Sequence, residues 1–159
     1  MMRLKVYLET TVLSYLTAWP SRDLVIAAHQ QITRDWWQKR RGSFELFVSQ
    51  AVYQEASAGD SSAAQLRLDA MKGIAVLELK EGVVTFSNRL VSEVPLPRKA
   101  AVDSLHIAVA AMNGMHYLLT WNCAHLANAA LRTKIESICR EAGYEPPIIC
   151  TPEELMGEE

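Results

Sequence analysis

Apolar residues recur along the chain at two alternating periods, which predicts strands and helices in turn. Leu4 to Leu8 is rich in strand formers, and Thr10 or Thr11 then opens a short helical stretch through Leu16 that stops near Trp19-Pro20. Ser21 is a suitable N-cap for a long amphipathic helix from Arg22 to Arg41. Leu24, Val25, Ala28, Ile32 and Trp36 are its expected apolar face, and Gly42 its C-cap. Phe44 to Val48 predicts a second strand, followed by a helix from Gln50 to Ala58 that Ser49 caps and Gly59 ends. A helix from Ser62 to Met71, closed by Gly73, precedes a third strand from Ile74 to Leu79 and a helix from Val83 to Glu93. Pro95 and Pro97 break the chain, and a mostly apolar helix runs from Lys99 to Met112, ending at Asn113-Gly114. Tyr117 to Thr120 is a fourth strand, Asn128 to Glu141 a last long helix, and Pro147 to Cys150 a short strand before an acidic tail.

Strands alternating with helices predict the α/β class, a three-layer α/β/α sandwich around a mainly parallel sheet. No repeat, low-complexity run or linker interrupts it, so residues 1–159 read as a single domain. At 159 residues, half of them hydrophobic, the chain is long enough to bury a core without staples. Cys123, Cys139 and Cys150 are odd in number and form no CxxC pair, as expected of reduced thiols in a cytoplasmic protein. Lys5 interrupts the first apolar run, and no uninterrupted apolar stretch reaches the ~18 residues of a membrane span, so no membrane is expected.

Net charge is −2, which speaks against a passive nucleic-acid binder but not against an enzyme that brings its own cations to phosphate. The basic clusters Lys39-Arg40-Arg41 and Arg98-Lys99 read as solvated helix ends, and the second also stands where it would flank a groove before Asp103.

Four oxygen-bearing side chains stand where the predicted structure changes. Glu9 ends the first strand, and Asn122 follows the apolar run Tyr117 to Trp121. Glu55 and Asp103 lie early in helices, on stripes otherwise made of Ala51 and Val52, or of Ala100, Ile107 and Ala110. An acid on a core-facing stripe needs a partner. In an open parallel sheet the crevice forms at the C-terminal strand ends, so these groups are expected to converge there. Crowded acids repel unless a cation intervenes, and Mg²⁺ or Mn²⁺ suits an all-oxygen set. Metal-assisted hydrolysis of a phosphodiester is the chemistry such a site would support.

Four segments then carry a resemblance in chain order. Val6-Tyr7-Leu8-Glu9-Thr10-Thr11-Val12-Leu13-Ser14, Val48-Ser49-Gln50-Ala51-Val52-Tyr53-Gln54-Glu55 and Ala101-Val102-Asp103-Ser104-Leu105-His106-Ile107-Ala108 resemble the three acidic motifs of PIN-domain nucleases. Leu119-Thr120-Trp121-Asn122-Cys123-Ala124-His125-Leu126 resembles the fourth, and Pro147 to Leu155 the closing strand and turn of the toxin branch. The resemblance implies a PIN-like fold and a Mg²⁺- or Mn²⁺-dependent endoribonuclease similar to VapC toxins of type II toxin–antitoxin pairs. It implies an RNA substrate, a homodimer and a cognate antitoxin whose tail enters the acidic groove. By motif, Glu9, Glu55 and Asp103 take the places of the core acids, Asn122 that of the fourth, and Thr11 that of a supporting hydroxyl.

Two positions depart from the motif. Glu9 stands where Asp is usual and moves its carboxylate by ~1.5 Å, enough to re-register an octahedral ion. Asn122 stands where an acid is usual and attracts a second cation less. Weak metal affinity and low activity are therefore expected. The alternative function is a catalytically faded PIN-like domain that acts through protein or RNA binding. A receiver-type phosphoacceptor ranks last, because neither Leu79-Lys80 nor Ile149-Cys150-Thr151 offers its acceptor Asp or late Lys.

Other residues are read structurally. Asp103, Ser104 and His106 cannot readily form a nucleophilic triad, since residues two apart on a helix point to different sides, and His106 is expected to pack or hydrogen-bond beside the groove. His116, Cys123 and His125 lack the spacing and fourth ligand of a zinc site. Trp36 is expected in the core, Trp37 at an interface, and Asp60 and Asp69 in solvent.

Overall fold

The structure, a computed structural model, describes residues 2–94, 101–122, 126 and 128–157, with the backbone alone at 101 and 102. Strands β1 (Leu4–Leu8), β2 (Phe44–Ser49), β3 (Ala75–Leu77), β4 (Tyr117–Leu119) and β5 (Ile148–Cys150) form one sheet in the order β3-β2-β1-β4-β5. Every neighbouring pair is parallel, so the expected mainly parallel sheet is wholly so among the described residues. The helices are α1 (Thr10–Thr17), α2 (Leu24–Lys39), α3 (Gln50–Ala56), α4 (Ser61–Ala70), α5 (Glu81–Glu93), α6 (Ala101–Met112) and α7 (Ala129–Glu141).

The strand order explains the layers. Chain direction carries β1 outward to β2 and β3, then returns across the sheet to β4 and β5. Right-handed crossovers therefore place α1 to α4 on one face and α5 to α7 on the other. Arg89 of α5 reaches Glu141 of α7 at 2.9 Å, and α5 packs along α6, as that arrangement requires. Direction reverses between β1 and β4, and at such a switch point the C-terminal strand ends open a crevice.

Inner strands bury both faces: Val6, Tyr7, Leu8, Leu118 and Leu119 are fully buried. The register Leu8↔Leu119 and Leu119↔Cys150 brings three strand ends level at the crevice. Cys139 and Cys150 are buried free thiols, which burial pushes up to about 11 and about 12, so they stay protonated.

Helix α2 departs from its expected limits and face. Asp23, not Ser21, is its N-cap, accepting from the Val25 and Ile26 N–H groups at 2.9 and 3.1 Å. A carboxylate serves both the orphan donors and the helix dipole better than a hydroxyl. Leu24 and Val25 are 85% and 64% exposed, while Gln30, Thr33 and Trp36 are buried. Those polar groups are tolerated because each is bonded: Gln30 receives Ser21 N–H and donates to Trp19 O, and Thr33 receives the Trp121 indole.

Gly42 is not a left-handed C-cap but part of a 3₁₀ turn over Arg41–Ser43, where the Arg41 guanidinium stacks on Trp37 at 4.0 Å. Asp60 and Asp69 are both exposed as expected, Asp60 capping α4 by accepting from Ala63 N–H and Asp69 standing beside Lys72. The third strand shortens to Ala75–Leu77. The expected helix start at Lys99, with Pro95, Pro97 and Arg98, lies outside the described residues.

Candidate active site

Glu9 is both the residue that follows β1 and the N-cap of α1. Its Oε1 accepts from the Thr11 N–H at 3.1 Å, from the Thr11 hydroxyl, and from Thr120 Oγ1 at 2.7 Å. Its own N–H donates to Leu119 O at 3.0 Å, which locks the end of β1 to the end of β4. The side chain is 3% exposed, and burial pushes its pKa up, a shift that His106, Thr11 and Thr120 partly offset. The Thr11 hydroxyl does double work, because it also accepts from Trp121 N–H at 2.8 Å.

Glu55 approaches from α3. Its Oε1 accepts from Thr10 Oγ1 at 2.7 Å and from His106 Nε2 at 2.6 Å. A carboxylate only accepts when ionised, so the imidazole proton sits on Nε2 in this contact. Burial pushes Glu55 up, but the His106 bond, the His106 charge and Thr10 outweigh it and the net shift is down. On the far side of the ring, His106 Nδ1 lies 2.6 Å from Tyr7 Oη, which lies 2.8 Å from Ser49 Oγ. Ser49 in turn caps α3 through Val52 N–H. Two hydroxyls and an imidazole thus run from the cap of α3 back to an acid on α3.

His106 is fully buried. Burial alone would lower its pKa, yet Glu55, Glu9 and Asp103 raise it. Ligand atoms of Glu9, Glu55 and His106 all lie within 4.8 Å of one another. Asp103 and Asn122 meet separately, Asn122 Nδ2 donating to Asp103 Oδ1 at 3.1 Å, and Asn122 N–H donates to Thr120 Oγ1. The five expected site residues fall into two bonded groups near the C-terminal ends of β1 and β4. Thr11, Glu9, Thr120, Asn122 and Asp103 form one chain of hydrogen bonds, and Glu55 with His106 forms the other, its ligand atoms within 4.8 Å of one of Glu9.

A divalent ion fits this donor set. The Glu9 and Glu55 bonds among the described residues all fall on Oε1, which leaves Oε2 of each for an ion. Oxygen donors of this kind suit Mg²⁺ or Mn²⁺. Of the zinc candidates, His116 accepts from Lys5 N–H at the opposite end of the sheet, while Cys123 and His125 lie outside the described residues.

Two solved structures share this arrangement of strands and helices. That of Mycobacterium tuberculosis VapC20, described as a sarcin-ricin loop cleaving toxin, aligns at TM-score 0.60 over 87% of this chain and 95% of its own, with 12% identity. VapBC2 from Rickettsia felis, bound to a DNA fragment from its promoter, aligns at TM-score 0.58 over 93% of this chain and 98% of its own, with 13% identity. The fold is that of the VapC-like PIN-domain toxins. No family model and no curated protein matches the chain at the level of sequence.

Within this VapC-like fold, His106 packs and hydrogen-bonds beside the groove, as expected. What the sequence does not show is that its partner is Glu55. His106 stands three residues after Asp103, and that spacing, which places both on one face of α6, is the local signal of a role near the acids. Ser49 caps α3 as expected, but Thr10, Thr120, Tyr7 and Ser49 are not readable from the sequence as residues of the site. Hydroxyls beside a buried acid are the residues that spacing alone identifies least, since their partners come from other elements.

Proposed function

We propose that this chain is a Mg²⁺- or Mn²⁺-dependent endoribonuclease, the toxin of a toxin–antitoxin pair. The observation that carries the reading is a buried Glu9 beside Glu55 and His106 at the topological switch point of a fold shared with VapC20, itself described as a sarcin-ricin loop cleaving toxin. Acids are rarely buried at a crevice without work for them to do.

Glu9, Glu55, Asp103 and Asn122 would hold the ion, which when bound supplies an activated water and neutralises charge on the phosphate. The rest belongs to the chain. Thr11 and Thr120 fix Glu9 Oε1 from two elements, so its other oxygen has one direction. His106 Nε2 and Glu55 Oε1 hold one proton between them, with Tyr7 and Ser49 setting the ring. The Asn122 amide orients Asp103, a carboxylate that two neighbouring acids would otherwise repel. A cognate antitoxin, a homodimer and a cytoplasmic location accompany this reading. No helix among the described residues is long and apolar enough to cross a membrane.

One observation favours a second reading, a faded domain that acts by binding. His106 and Asn122 already satisfy two acids from within the protein, so the crevice depends less on a cation. Cleavage of a structured RNA in Mn²⁺ separates the two. Cleavage by the wild type that is lost in Asp103→Asn supports the enzyme. An intact RNA in both metals, with tight antitoxin binding, replaces it with the binding module.

A further inference from the structure

Beside the acids lies a set of three aromatic rings that the chemistry above leaves unused. Trp121 is flanked by Thr120, which donates to Glu9, and by Asn122, which donates to Asp103. Its indole lies under His29 of α2 with centroids 4.1 Å apart and planes 14° apart. Tyr15 of α1 lies 6.0 Å from the Trp121 ring and 6.4 Å from that of His29, with both pairs nearly parallel. Tyr15 also follows Thr11 by one helical turn, so the ring and the hydroxyl that supports Glu9 share a face of α1.

These rings differ in how they are held. The indole is fixed: Nε1 donates to the fully buried Thr33 hydroxyl at 2.8 Å, and Thr33 donates to the backbone of His29 itself at 2.6 Å. Trp121 is 8% exposed and serves as the base of the stack. His29 and Tyr15 are only half-buried. The His29 imidazole makes no hydrogen bond to any described residue, although a packed histidine normally bonds its nitrogens. Stacking on Trp121 and Tyr15 is what holds the ring, and the residue is only half-buried.

We propose that the His29–Tyr15 rim, backed by Trp121, stacks an unpaired nucleobase next to the phosphodiester presented to Glu9 and Asp103. The inference rests on the ribonuclease reading and adds to it a site for one base beside the acids. Net charge supports it. At −2, with three acids at the crevice, the chain has no basic excess to draw a polyanion. Stacking on aromatic faces is independent of charge and tolerant of sequence, and it contributes about tenfold or more in affinity per base.

The test uses the whole chain with Ca²⁺ in place of Mn²⁺ and a short unstructured oligoribonucleotide, alongside a series of the same oligonucleotide with one abasic ribose moved along it. Affinity is read by fluorescence anisotropy. One abasic position is expected to weaken wild-type binding by about tenfold. His29→Ala should weaken binding of the intact oligonucleotide by a similar factor and show no further loss at that position, and His29→Phe should restore the wild-type pattern. An abasic penalty that persists in His29→Ala overturns the proposal, as does a wild type that cleaves RNA yet feels no abasic position. A wild type that neither binds nor cleaves any RNA removes the ribonuclease reading first and the stacking with it. If His29→Ala weakens only antitoxin binding, the rim is a protein contact and the proposal falls.

Discussion

The two ends of the central sheet are made by the same strands and could hardly differ more. At the C-terminal end, β1, β2 and β4 run into Glu9, Ser49 and Thr120, and the N-caps of α1 and α3 point inward. At the N-terminal end an apolar hollow opens between Leu4, Met115, Tyr117, Pro146 and Ile148, with His116 and Glu145 among its lining. Chemically it is a poor site, because its histidine is engaged by a backbone N–H of Lys5, and the cluster of ligating groups among the described residues stands at the other end. The difference teaches that direction matters in a parallel sheet. Helix N-termini and free N–H groups gather at one rim only, and only there are buried carboxylates stabilised.

The comparison breaks most sharply if chemistry can be removed from either end. Asp103→Asn is expected to lower kcat/KM for RNA cleavage by about 100-fold or more, whereas His116→Ala at the other rim should leave it within about twofold. Steady-state cleavage assays on both variants decide this, and equal losses would dissolve the distinction between the ends.

A smaller effect is expected in stability. His106→Ala leaves Tyr7 Oη with Ser49 as its remaining partner and Glu55 with Thr10 as its remaining donor. Urea unfolding should show a loss of about 2 kcal/mol, below the value for a fully enclosed ion pair because the Glu55 side chain is 36% exposed. An unchanged midpoint would mean that water replaces the imidazole without penalty, and the rim would be wetter than its burial implies.

Much of this contrast was legible in the sequence. Strand order aside, the alternation of elements and the positions of Glu9, Glu55, Asp103 and Asn122 follow from periodicity and from acids on apolar stripes. What was illegible had two causes. Leu24 and Val25 fit an apolar face, but the buried side of α2 is set by Trp121 and Trp19, whose polar atoms select Thr33 and Gln30 as partners. His106 and Thr120 acquire their roles only when β4 and α6 meet β1, contacts about 100 residues apart in sequence, and the three-residue spacing of His106 from Asp103 is the one local hint.

Asn122 offers a change in the opposite direction. Its amide now donates to Asp103, so Asn122→Asp would set two carboxylates together and replace a donor with a repulsion. Ligand charge tunes dication affinity, and Mn²⁺ should bind about tenfold tighter by calorimetry. In chelator the same variant should melt below the wild type, and in Mn²⁺ the gap should close. A variant with unchanged affinity would place Asn122 outside the ion's reach.

The smallest effect is the pH dependence of the metal-free protein. His106 has a raised pKa in the folded state, so the folded protein holds that proton more tightly than the unfolded chain. The stability it contributes is fully present below its ordinary value of 6.5 and is lost as pH climbs through the raised one. Glu9, also raised, has the same sign, and Glu55, lowered, loses its contribution only toward acid. Cys139 and Cys150 begin to oppose folding only above 9.0. Between 6.5 and 9.0 the slope therefore belongs to the two raised groups, His106 and Glu9. Melting temperature in chelator should fall across that window, and His106→Gln should flatten the fall while keeping a donor for Glu55. A slope that persists unchanged in His106→Gln would assign it to Glu9, and the polar rim would then be held by hydroxyls rather than by an internal cation.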